Sequence, residues 1–326
     1  MRIFRFALIF AAVCSLPFSS SRSVLAQSRH SIRVLIVDGQ SGGPYHDWKL
    51  TTAIMRMELE EAGIFDVTVA TAPLNTQDFS SFHPHFDHYQ AILWNLDAPD
   101  WPEDLRNQLD AYVKGGGGLV IVHAADNAFP GWTDWNRMIG VGGWRNRDEH
   151  AGPHFYFKDN ELVRDTSPGK AGNHGMRLPF QVVTRDADNP IMRGLPATWM
   201  HAPDELYNSL RGPGENMTIL ATAYSDPKNH GTGFDEPMVM VIHYGKGRVF
   251  HTTMGHDAAA LSGVGLMTLI QRGTEWAATG KVTLPVPSNF PTADSTSMRV
   301  DIEQMDPDFL KDAASVVRHP AQPAPR

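Results

Sequence analysis

A doubly wound α/β fold on a mostly parallel sheet is what this 326-residue sequence predicts. Two observations carry that reading. Short, continuously apolar runs such as Arg33-Val34-Leu35-Ile36-Val37 and Leu119-Val120-Ile121-Val122 look like strands covered on both faces. Such runs alternate with helical periodicity in the order strand, helix, strand, strand, helix, strand, the signature of parallel crossover units. With 42% hydrophobic residues the chain can bury a large core, in one large domain or two small ones.

The first segment reads as an address. Arg2 and Arg5 precede an apolar stretch from Phe6 to Pro17, and Val24-Leu25-Ala26 suits cleavage before Gln27. Residues 1–26 are therefore expected to be a secretory signal peptide, and the mature protein secreted or periplasmic. Cleavage would also remove Cys14, the only cysteine, leaving no disulfide, no cysteine–zinc site and no cysteine nucleophile.

Arg33 to Val37 opens the fold as a strand ending at Asp38-Gly39. A Gly/Pro-rich loop then leads to a helix from Trp48 to Glu61. Leu50, Ile54 and Met57 line its apolar side, Arg56, Glu58, Glu60 and Glu61 lie mostly off it, and Gly63 stops it. Val67 to Ala70 and Ala91 to Trp94 are the next strands. Pro102 opens a second helix with Glu103 and Asp104 in its positive first turn, the stripe Leu105, Leu109, Val113, and Gly115 as terminator. Leu119 to Val122 follows as a strand ending at His123. The stretch from Phe129 to Arg211 reads as a long irregular insert, of the kind that builds a binding site or lid. Thr218 to Ala221 restores regular structure, Met238 to Tyr244 and Arg248 to Thr253 form a hairpin, and Val264 to Ala278 a final helix. From residue 283 the Pro-rich tail is expected to be a loose extension.

Composition narrows the partners. Asp+Glu 36 against Lys+Arg 28 gives a net charge of −8, which argues against an electrostatic nucleic-acid binder. No run after the leader approaches the ~20 apolar residues that span a bilayer, so no membrane insertion is expected. Gly115 to Gly118 precede a strand and cannot present a helix N-terminus to phosphate, Gly245-Lys246-Gly247-Arg248 lacks Walker spacing, and no nucleotide cofactor is expected. No Gly-x-Ser-x-Gly elbow appears.

Ligands of open parallel sheets bind beyond the carboxyl ends of the strands. There the sequence delivers Asp38 and His46-Asp47 after the first strand, Trp94-Asn95 at the third, His123 at the fourth, and Gly255-His256-Asp257 after the hairpin. Three imidazoles on one rim suit proton transfer, or the holding of a divalent metal such as zinc by His46, His123 and His256. His201, Asp204 and Glu205 lie in what reads as a polar loop, with Glu205 a carboxylate partner for the histidines and His201 and Asp204 groups for substrate hydroxyls. Of His150, His154 and His174, at least one is expected near the cleft. His83, His85 and His88 read as a solvated loop, and Trp48, Trp94, Trp132, Trp135 and Trp144 as sugar-stacking or packing residues.

Six segments, in order, resemble the ThuA-like (trehalose utilisation) family. They are Arg33 to Val37 with His46-Asp47; Gly115 to His123; Asn189-Pro190-Ile191-Met192-Arg193-Gly194-Leu195-Pro196; Asp204-Glu205-Leu206-Tyr207; Tyr244 to Phe250; and Met254-Gly255-His256-Asp257. One departure is Asn189, where the family often has histidine. The resemblance covers the chain to about Val282 and implies a flavodoxin-like, class I glutamine-amidotransferase-like fold for residues 27–282. It places His123 in the region of the amidotransferase nucleophile and His256 near that of its partner. Without a thiol there, glutamine hydrolysis by that route is excluded.

The family's sugar connection implies a small glycoside or 3-keto sugar as substrate, handled by His123, His256, Glu205 and Asp257 as catalytic groups. Asp38, His46, Trp94, Asn95, His201 and Asp204 would bind it. Competing readings are a periplasmic sugar-binding module without turnover and a metal-dependent amide or ester hydrolase.

Overall fold

The computed structural model describes residues 31–40, 45–74, 77–98 and 100–306. The expected leader and the end of the tail lie outside the described residues. In chain order the strands are β1 (Ile32–Asp38), β2 (Phe65–Thr71), β3 (Ala91–Asn95), β4 (Gly118–Val122), β5 (His154–Lys158), β6 (Glu161–Asp165), β7 (Leu178–Thr184), β8 (Thr198–Asp204), β9 (Met217–Tyr224), β10 (Asp235–Tyr244) and β11 (Gly247–Thr252). The α-helices are α1 (Trp48–Glu61), α2 (Glu103–Gly115), α3 (Thr133–Ile139), α4 (Ala258–Leu261), α5 (Val264–Thr279) and α6 (Val300–Glu303).

One sheet runs β2-β1-β3-β4-β11-β10-β9-β7-β8, with β5 on β10 and β6 on β5. The block β2-β1-β3-β4-β11 is parallel throughout. Beyond β11 every pairing is antiparallel. This antiparallel part is larger than the single hairpin expected. The stretch read as irregular holds α3 and β5 to β8, because its strands are short, punctuated by Gly and Asn, and only partly buried.

Alternation along the parallel strands feeds both faces of the sheet. Val34, Ile36, Val120 and Val122 pack with α1, α4 and α5, while Leu35, Val37, Leu119 and Ile121 pack with α2 and α3. Gly118 opens β4 where α5 crosses it: a Cβ there would lie 2.6 Å from the Ala277 carbonyl oxygen. Trp199 of β8 and Val120 of β4 share one core cluster, and Gly265 of α5 packs on the Trp199 ring, so the sheet curls around α5. Four antiparallel reversals separate β11 from β8, so both strands end at the same rim.

The tail corrects its expectation as far as residue 306. Val286, Phe290, Met298 and Met305 pack on the core, Ile302 is fully buried, and Arg299 bridges to Glu61 at 2.6 Å. Apolar residues spaced between the prolines anchor it, a pattern masked by the proline content. Helix α1 holds another surprise, because Glu58 is fully buried instead of lying off the apolar face. The buried side of α1 is Ile54, Met55, Glu58 and Leu59.

Neither Glu58 carboxylate oxygen has a hydrogen-bond partner among the described residues. Burial pushes this carboxyl well above its usual range; the nearby Arg299 opposes that, and Glu61 and Asp301 add to it. A folded-state value raised above the unfolded one leaves stability intact at low pH. Stability is then lost as pH rises past the unfolded value, by about 1.4 kcal/mol for each pH unit between the two. Glu58→Met should therefore raise the melting temperature by ~5 °C at pH 8 and by almost nothing near pH 4.5. An equal shift at both values in calorimetric melts would contradict this account of Glu58.

Candidate active site

Two histidines are presented by the same local device. His46 and His256 each precede an aspartate that caps a helix: Asp47 accepts from the Leu50 amide at 3.2 Å on α1, and Asp257 from the Ala260 amide at 2.9 Å on α4. Asn95, at the end of β3, donates to the Trp48 carbonyl and to Thr51 and Thr52 at 2.9–3.3 Å, pinning the start of α1 behind His46. Gly255 supplies the turn before His256 with φ +119°, a conformation that suits glycine.

His123 follows β4 directly and stands in the left-handed region, φ +49°. Only a few per cent of non-glycine residues do so, and the cost is roughly 1 kcal/mol or more. Its Nδ1 lies 2.8 Å from the Thr253 carbonyl. A carbonyl only accepts, so Nδ1 carries the proton and the Nε2 lone pair points away, toward the other histidines.

The groups meet at one point. The ring centroid of His46 lies 5.4 Å from that of His123 and 4.9 Å from that of His256, and the last two are 5.3 Å apart. His256 Nδ1 sits 3.1 Å from Glu205 Oε2 and 3.3 Å from His123 Nε2; Glu205 Oε2 is 3.7 Å from His123 Nε2. One ligand atom from each of His46, His123, Glu205 and His256 falls within 4.8 Å of the other three. Since His123 Nε2 has no proton, the single His256 Nδ1–H serves both Glu205 and His123. Neither nitrogen of His46 has a hydrogen-bond partner among the described residues, though both are shielded from water. Lone pairs thus outnumber protons at the point of convergence, which is the donor set of a divalent-metal site.

Electrostatics agree with the geometry. Burial first, then the neighbouring His123 and His256, push His46 down to about 3. His123 is lowered by burial. At His256 burial is outweighed by the Glu205 hydrogen bond and charge, and its value is raised. Burial likewise loses at Glu205, where His256, His123 and His174 hold the carboxyl below its usual range.

Beneath the four lies Asp204, fully buried at the end of β8. Its Oδ2 accepts from His201 Nε2 at 2.9 Å and the Gly255 amide at 2.7 Å, and its Oδ1 from the Glu205 amide at 2.8 Å and the His256 amide at 3.1 Å. One carboxylate therefore ties the turn carrying His256 to the strand end carrying Glu205.

Several expected roles change. His201 and Asp204 were expected to meet substrate from a loop; β8 runs through them and both are fully buried, so they brace the site from behind. Trp94 is a core residue with 0% exposure, its indole nitrogen donating to the Leu96 carbonyl and its ring packed on Trp101, Phe129 and Trp135. A side chain so enclosed cannot stack on a sugar. Asp38 is buried and held by Thr52 and Thr71, with burial raising its carboxyl. Asp257 caps α4 and pairs with Arg177, at the edge of the four-residue cluster and outside it.

Of the three undecided histidines, His174 is the neighbour of the site, its Nδ1 3.6 Å from Glu205 Oε1. His154 is buried against Glu236 at 2.8 Å, and His150 is exposed beside Asp148. Sequence reasoning missed Tyr207. Its ring lies 4.0 Å from that of His123 and 4.5 Å from that of Trp144, although it directly follows the Asp204-Glu205-Leu206 run that was singled out. His85, Asp87 and His88 form an exposed cluster on a surface turn, in line with the solvated-loop reading.

A family model described as ThuA, trehalose utilisation, matches residues 33–277. Among solved structures, a ThuA-like protein from Parabacteroides merdae is 42% identical, with a TM-score of 0.80 over 83% of this chain and 99% of that one. A ThuA-like protein from Bacteroides uniformis, 18% identical, has a TM-score of 0.50 over 77% of this chain and 93% of that one, a likeness of fold. A search of curated proteins gave no match.

Proposed function

This chain belongs to the ThuA, trehalose utilisation, family, and from that premise we propose that it is an exported enzyme of carbohydrate metabolism. Its substrate is a small glycoside or 3-keto sugar, handled by metal-assisted acid–base chemistry at His46, His123, Glu205 and His256. The observation that carries this reading is the meeting of those four ligand atoms within 4.8 Å at the carboxyl rim of the sheet. Hydroxyl recognition alone would call for mixed donors and acceptors, whereas this centre is rich in lone pairs.

The four side chains would hold a divalent ion such as zinc, which when bound supplies positive charge beside an oxygen that becomes anionic in the reaction. The residues divide the remaining work. His123, locked by Thr253, offers only Nε2 to the cleft. Glu205, kept ionised by its histidine neighbours, is an acceptor for a proton. His174 donates Nδ1–H to the Gly175 carbonyl at 2.8 Å, and its side chain is 38% exposed, so its Nε2 can exchange protons between cleft and water.

A ketone at C3 of a sugar makes the C2–H acidic. Removal of that proton by the carboxylate or an imidazole, with departure of the C1 substituent as its oxygen takes up a proton, is a balanced elimination. Stripping the purified mature protein with a chelator and reloading it with zinc tests the reading against trehalose, other disaccharides and their 3-keto forms. Turnover of a keto form that vanishes on stripping and returns with zinc is expected. Equal turnover in both preparations would remove the metal from the reading, and tight sugar binding with no product would replace it by a binding module.

A further inference from the structure

Beside the histidine centre, on the open face of the antiparallel half, lies a cavity of about 780 Å³. That is within the roughly 300–1,000 Å³ of sites that enclose small molecules. None of the four clustered residues lines it, but Gly175, Asp204 and Leu206 do, and these are the chain neighbours of His174 and Glu205. Its apolar lining includes Phe157, Met176, Val183, Met200, Leu206 and Tyr224. Met176 and Tyr224 are 65% and 46% exposed, large apolar groups left facing solvent at the mouth.

The polar groups of the lining are already occupied. Arg185 donates to Thr222, Asn160 and Asp235 at 2.8–2.9 Å and lies over the Phe157 ring at 4.6 Å. Asn229 exchanges two hydrogen bonds with the Met176 backbone, Gln181 donates to the Ala293 carbonyl, and Asp204 holds its four donors. A second sugar ring needs free donors and acceptors for each hydroxyl, and little of this lining is uncommitted. A flat apolar group needs only the side chains that remain.

We propose that this cavity receives the leaving part of the glycoside, and that it selects an aryl aglycone over a second sugar. The proposal rests on the glycoside reading above, and its test is independent of turnover. Binding of 4-methylumbelliferone, an aryl probe without a sugar, is measured by fluorescence titration on the wild type, on His46→Ala and on Met176→Asp/Tyr224→Ala. Both cavity positions are exposed, so the double variant keeps its fold, which its melting curve verifies.

The expected result is equal binding to wild type and His46→Ala, about tenfold weaker binding to the double variant, and no competition by trehalose. Binding unchanged in the double variant, binding lost in His46→Ala, or displacement by trehalose at similar concentration would each overturn the assignment. Self-association in sedimentation runs that the double variant abolishes would also overturn it, by marking the face as an interface between copies. Failure of every glycoside to turn over defeats the proposed function instead, and leaves the aryl titration unmoved.

Discussion

His123→Asn is expected to yield a folded protein whose kcat/KM falls at least about 10³-fold. Asparagine is chosen because it tolerates the left-handed backbone that His123 adopts at φ +49°. The loss follows from the imidazole's place at the centre of the cluster: its Nε2 is 3.3 Å from His256 Nδ1 and 3.7 Å from Glu205 Oε2. Removing it takes away one of the convergent lone pairs and leaves His256 paired with Glu205 alone. Circular dichroism melts should differ little from wild type, while steady-state kinetics on the reactive sugar collapse. A variant that keeps a third or more of wild-type activity would take His123 out of the chemistry.

The second large effect is structural. Asp204→Ala should cost about 3–5 kcal/mol of stability, because it strands His201 Nε2 and three backbone amides in a fully buried place. Asp204→Asn should fare little better, since its amide nitrogen would face two donors where the carboxylate accepted from both. Burial raises this carboxyl, but His201 and the other groups around it outweigh burial and hold it below the usual range. A depressed folded-state value contributes stability that is full above the unfolded value and lost as pH falls through the folded one. The gap between wild type and variant in urea melts should therefore be widest at neutral pH and narrow below about pH 4. A gap that does not vary with pH, or one under ~1 kcal/mol, would show that Asp204 is not the tie between Glu205 and His256.

Much of this was legible in the residues. Continuous apolar runs marked β1, β3 and β4 because strands buried on both faces cannot alternate with polar residues, and their polar end residues then pointed to the rim. His46, His123, His256 and Glu205 were named from those strand ends and from a family resemblance, and the fold brings them together. What escaped had physical causes. Strands β5 to β8 are short and half-exposed, so they carry no apolar run to detect. Trp94 ended a strand as a site residue would, yet the face it points to is closed by Trp101, Phe129 and Trp135. Glu58 looked like a solvent residue because helical phase on α1 is set by what packs there, including Asn95 at its start. His174 and Tyr207 reach the centre through tertiary packing alone, which no local spacing reports.

Anomalous X-ray diffraction from crystals grown with zinc, recorded on both sides of the zinc absorption edge, tests the central claim most directly. One strong peak is predicted, within about 2.0–2.2 Å of a ligand atom from each of His46, His123, Glu205 and His256. Peaks confined to surface histidines such as His85 and His88, with the four clustered side chains bare, would contradict it.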